Sequence, residues 1–128
     1  MTLQDQIQYW VESAEEDFST SQSLFLHKYF MWSLFVGHLS LEKILKALYV
    51  KKNGTTPPYI HDLIKLAKKN SITLTAEQEQ LLFEINEFQI ETRYPEYKNQ
   101  LYKKCTEEFT VTYLSHIKEL YICFKSQI

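Results

Sequence analysis

The chain has 128 residues, of which 45% are hydrophobic and 15% aromatic, and it carries a formal net charge of -2 with only 2 glycines and 3 prolines. A chain of this length buries roughly two thirds of its unfolded surface without a metal or disulfide staple, so one domain over residues 1–128 is expected. The near-balanced charge excludes a global attraction to nucleic acid or anionic membrane, and the scarcity of turn formers favours long helices over a sandwich or barrel.

From Leu3 to about His27, the positions Leu3, Ile7, Trp10, Val11, Ala14, Phe18, Ser21 and Phe25 recur at three- and four-residue steps, with Asp5, Glu12, Glu15 and Glu16 between them. This spacing predicts an amphipathic helix. A second helix is predicted from about Phe30 to Lys52, ending at Asn53-Gly54 before Pro57-Pro58. Its apolar residues, among them Met31, Leu34, Phe35, Leu41, Ile44, Leu45 and Leu48, cover more than half of its circumference, more than one bundle core needs. Either this helix is central and contacted on several sides, or it also faces a second protomer. The second reading predicts a symmetric dimer.

A shorter helix is expected from His61 to Lys69. Thr75 with Gln78 three residues later forms a capping-box pattern, opening a fourth helix that carries Leu81, Leu82, Ile85 and Phe88 inward. RYPEYKNQ (93–100) is expected to interrupt that helix, and a last one begins between Tyr102 and Glu108 and runs through Phe124. The expected fold is all-α, an antiparallel up-and-down four-helix bundle with one additional short helix. Cys105 and Cys123 lack metal-ligand or C-x-x-C spacing and read as reduced apolar side chains. The opening residues do not read as a signal peptide, and no apolar run is long enough to span a bilayer, so a cytoplasmic protein without membrane contact is expected.

The chemistry-bearing residues concentrate in HLSLEKILKA (38–47), where His38, Glu42 and Lys46 follow one another at four-residue intervals on one stripe. Glu42 before Lys46 is the favourable order for an i,i+4 pair, so the stripe reads either as structural pairing or as a polar site. The E-x-x-H pairs of a dinuclear bundle and the H-E-x-x-H zinc pattern are both missing, and no metal or other cofactor is expected. Arg93 is the single arginine beside thirteen lysines, at the expected helix break before Pro95. Its rigid fork of donors suits phosphate, or a bundle carboxylate such as Glu42. Tyr94 adds a stacking surface beside it. Asp62 belongs near a helix N-terminus, with His61 as a cap or turn residue.

H38-L-S-L-E42-K43-I-L-K46-A47, followed by H61-D62-L63 and R93-Y94-P95, resembles the HEPN family, small helical domains named for nucleotide binding. The resemblance runs from the Trp10 to Asp17 segment through the final helix and rests on the order and spacing of these pieces. It implies a helical bundle, commonly a homodimer, paired with a separately encoded minimal nucleotidyltransferase in toxin-antitoxin operons. Many such proteins are metal-independent ribonucleases whose arginine is followed, after four to six residues, by a histidine. Counting onward from Arg93 reaches Lys98, Asn99 and Gln100, none of which shuttles protons as imidazole does.

The resemblance therefore points to the accessory branch, a non-catalytic protein binding a nucleotide or RNA phosphate. Under it, Arg93 and Lys46 contact phosphate, His38 and Glu42 shape the groove, and Tyr94 stacks on a base. Two alternatives remain open. One is a metal-independent endoribonuclease that draws His38 or His61 toward Arg93 from another helix or protomer, and the other is a non-catalytic protein-interaction module.

Overall fold

A computed structural model describes all residues 1–128 and contains six helices: α1 (Leu3–Leu26), α2 (Phe30–Asn53), α3 (Leu63–Lys69), α4 (Ala76–Arg93), α5 (Pro95–Lys104) and α6 (Glu107–Lys125). Their boundaries follow from local chemistry. Thr2 and Asp5 close a capping box on α1, and Thr75 and Gln78 close the one expected on α4. Gly54 ends α2 in the left-handed region at φ 65, where a side chain would be strained. α3 starts at Leu63, two residues later than expected, because Asp62 is its cap and accepts hydrogen bonds from the Ile64 and Lys65 amides.

The sequence-based expectation of a four-helix bundle with one extra helix needs correction. The segment read as an interruption at RYPEYKNQ is a break of one residue, Tyr94, after which Pro95 opens the separate helix α5. Proline lacks only an N–H that the first helical turn leaves unpaired anyway, so the residue that stops α4 also starts α5. The result is an all-α bundle of six helices in which α2 contacts each of the other five.

α1 packs antiparallel to α2. Trp10 lies beside Lys46, Asp17 pairs with Lys43 at 2.8 Å, and the Ser33 hydroxyl donates to the Ser21 carbonyl at 2.7 Å. α6 crosses α2 so closely at Gly37 that a Cβ there would lie 2.9 Å from Ile117 Cδ1. The stacked rings of Phe18 and Tyr121 join α1 to α6, while Phe88 of α4 meets Phe109 and Tyr113 of α6 edge to face.

Leu34, Leu41, Ile44, Leu45 and Leu48 are wholly buried, each stabilising the fold by about 1.5–3 kcal/mol relative to exposure. The apolar surplus of α2 is thus covered within one chain, as expected of a central helix contacted on several sides. That surplus no longer argues for a second protomer. What stays exposed is its N-terminal end, at Tyr29 and Trp32.

Candidate functional site

A step of four residues turns an α-helix by about 40° past a full revolution, so His38, Glu42 and Lys46 drift by about 80° in all around α2. The stripe drifts around α2 in this way yet stays buried along its whole length. His38 is fully buried, and its Nε2–H donates to the His61 carbonyl at 3.1 Å, which fixes the neutral tautomer. Nδ1 makes no hydrogen bond. Burial pushes the His38 pKa down to about 4, opposed in part by the Glu42 charge, the neighbouring Asn86 amide and the His61 carbonyl.

Glu42, 5% exposed, has both oxygens engaged: Oε2 accepts from Lys46 Nζ at 3.1 Å and Oε1 from His61 Nδ1 at 3.0 Å. Lys46 is equally buried, with its ammonium 5.5 Å from the centre of the Trp10 ring. His61 is half exposed, and its Nε2 is uncommitted. A second network holds the 57–62 segment in place. Asn86 of α4 donates to Asp62 Oδ1 at 3.0 Å and accepts from the Leu63 amide at 2.9 Å, tying the start of α3 to α4. His61, expected as a cap or turn residue or, in the ribonuclease alternative, near Arg93, is thereby delivered onto Glu42. Its pairing with a carboxylate nineteen positions away, and that of Asp62 with Asn86, leave no local signature in the sequence.

Arg93 and Tyr94 lie elsewhere on the same side. Arg93 is exposed at the end of α4, its guanidinium carbon 5.6 Å from the centre of the Phe35 ring, and it makes no ion pair. Phe35 precedes Glu42 by seven residues, which puts it on the same face of α2 about 10 Å away along the axis. The alternative in which Arg93 clamps Glu42 is therefore not formed: Lys46 and His61 already satisfy that carboxylate. Tyr94 is 54% exposed, and just beyond it Lys98 Nζ lies 4.9 Å from the Trp32 ring centre.

The five residues singled out from sequence thus divide. His38, Glu42 and Lys46 are brought together and satisfy one another, whereas Arg93 and Tyr94 stand free at the α4–α5 junction. Nowhere do three or more histidine, cysteine or acidic side chains converge to hold a metal ion. The HEPN domain family model matches residues 7–127. No curated protein and no solved structure matches the chain.

Proposed function

The chain belongs to the HEPN domain family, and from that premise we propose that it is an accessory protein binding a nucleotide or RNA phosphate, acting as a homodimer with a separately encoded minimal nucleotidyltransferase. One observation carries the reading. The chain's single arginine is exposed and free of any carboxylate, while its guanidinium lies over Phe35. A guanidinium braced on a ring loses less freedom on meeting an anion and keeps its donor edge for two phosphate oxygens.

In this reading Arg93 holds phosphate, Tyr94 stacks on the base and Lys98 adds positive potential. Lys46 acts through its charge rather than by contact, being committed to Glu42, and His38 and Glu42 shape the groove by holding α2 against the 57–62 segment. Isothermal titration with nucleoside mono- and triphosphates tests this. Heat that disappears in Arg93→Ala supports it, and no heat at millimolar ligand with folded protein defeats it. Light scattering at high micromolar protein tests the homodimer.

The ribonuclease alternative requires an imidazole at Arg93. His38 lies within one turn of Phe35 but is buried and donates to the His61 carbonyl, while the His61 ring is paired with Glu42, two turns from Phe35; neither imidazole is hydrogen-bonded to Arg93. Incubating total RNA with the protein in EDTA discriminates: intact RNA rejects nuclease action, whereas cleavage lost in Arg93→Ala replaces the accessory reading.

A further inference from the structure

The largest cavity adjoins the groove just described, between the N-terminal end of α2 and α5. It measures about 570 Å3, and a second opening of about 310 Å3 shares Met31 and Tyr102 with it, so the two lie side by side as neighbouring parts of the cleft. This volume falls in the range of binding clefts. Its floor is carbon and sulfur. Met31 and Cys105 are almost wholly buried there, with half-buried Phe30 beside them. Burial pushes the Cys105 thiol up to about 11, so the floor is uncharged at neutral pH.

The rim has a different chemistry. Trp32, Tyr29 and Tyr102 are 41%, 58% and 67% exposed, an unusual gathering of large aromatics at one end of the fold. Every charged residue lining the cleft is a lysine: Lys28 and Lys103 in the larger opening, Lys98 in the smaller. None of the three makes a salt bridge. The carboxylates nearest in sequence, Glu96 and Glu107, do not line it, nor does Glu91, whose charge helps to raise the Cys105 thiol.

We infer that this cleft docks an acidic segment of a partner protein, seating one aromatic or aliphatic side chain on the Met31–Cys105 floor while its carboxylates meet Lys28, Lys98 and Lys103. The apolar floor decides between polyanions. At the floor, beneath the rim of Lys and Tyr side chains, the edge of a nucleobase would meet only the weakly hydrogen-bonding Cys105 thiol, which is costly, whereas a Phe or Leu side chain has no polar edge to leave unpaired. Exposed Trp and Tyr around an apolar floor are also the residue types that dominate binding energy at protein interfaces. Three unpaired lysines and no acid supply the complementarity for carboxylates. The inference goes beyond the phosphate role of Arg93, and each can fail without the other.

The test is selection of a random dodecapeptide phage library on the full-length protein. Fluorescence anisotropy of the enriched sequence, labelled with fluorescein, then follows on wild type, Trp32→Ala, Lys103→Glu and, as control, Lys118→Glu on the far face of α6. The expected consensus places Asp or Glu around a Trp, Phe or Leu. Its affinity should fall roughly tenfold in Trp32→Ala and in Lys103→Glu, remain unchanged in Lys118→Glu, and weaken with salt.

Because Trp32 and Lys103 are exposed, the variants keep the wild-type circular dichroism; Lys103→Glu alone decides the matter should Trp32→Ala fail to fold. No enrichment, a consensus without acidic bias, or equal binding by the variants overturns the inference. So does a single-stranded RNA 10-mer whose binding requires Trp32, which would make the cleft a nucleic-acid surface. A dimer mass that Trp32→Ala reduces to a monomer would give it to a second copy. Nucleoside monophosphate binding, measured on the same wild-type protein and Arg93→Ala, reports separately on the phosphate reading.

Discussion

Two polar regions share one flank of α2, and they have opposite characters. At the level of Glu42, four ionisable side chains are folded against one another: His38 donates to the His61 carbonyl, and Glu42 takes both Lys46 and the His61 ring. At the α4–α5 junction Arg93, Tyr94 and Lys98 are exposed, and the two cations lie over Phe35 and Trp32 with no acid between them. The first region has the residue types of an active site but has committed them to the fold. The second is poorer in chemistry and richer in unused donors.

The largest effect that would break this contrast is at Glu42. Replacing it with alanine leaves a buried ammonium and strips His61 of its partner, so urea unfolding should show a loss of about 3–5 kcal/mol. Replacing Glu42 and Lys46 together with leucine should recover most of it, because two apolar side chains remove both desolvation penalties. A loss below about 1 kcal/mol for Glu42→Ala would mean that the pair is wet and mobile, and the distinction between the two regions would collapse.

Acid comes next. His38 titrates near 4 in the folded chain and near 6.5 when unfolded. Between those values the unfolded state binds the extra proton, so stability rises with pH there: the contribution is fully present above about 6.5 and is lost as pH falls toward 4. Two and a half units correspond to about 3 kcal/mol. The urea midpoint measured from pH 7 to 4 should fall accordingly. His38→Gln, whose amide can still donate to the His61 carbonyl, should flatten the profile. An unchanged slope in that variant would assign the acid sensitivity to other groups.

A smaller loss is expected at Asn86, which secures the segment carrying His61. Asn86→Ala removes hydrogen bonds to Asp62 and to the Leu63 amide and should cost about 1–3 kcal/mol. It should also speed amide exchange at the start of α3, a local readout that simple loss of packing on α4 would not single out.

These contrasts also mark how far sequence reading reached. α1 was legible from its three- and four-residue apolar spacing, the start of α4 from a Thr cap with its reciprocal partner, and the end of α2 from a glycine free to turn left-handed. The 38–42–46 stripe was legible because four-residue spacing is local too. Its inward tilt was not, since that depends on which neighbours cover α2. Pro95 was misread because a proline after a helix and a proline opening one are the same residue in the same tripeptide. Only the packing of Leu101, buried in the hydrophobic core, decides that the chain recoils into α5. The link from His61 to Glu42 spans nineteen positions and has no periodic signature.

The smallest stability effect carries the most functional weight. Arg93→Ala removes an exposed side chain without an ion partner, and the loss of its contact with Phe35 should cost no more than about 1 kcal/mol. The same substitution should abolish calorimetric heat with nucleoside phosphates. Arg93→Lys should leave a weaker, more salt-sensitive remnant, because an ammonium keeps the charge but not the planar pair of donors. If Arg93→Ala instead unfolded the protein while ligand binding in Arg93→Lys matched wild type, the guanidinium would be a strut between α4 and α2. The free region would then be as structural as the committed one, and any phosphate site would have to lie elsewhere on the fold.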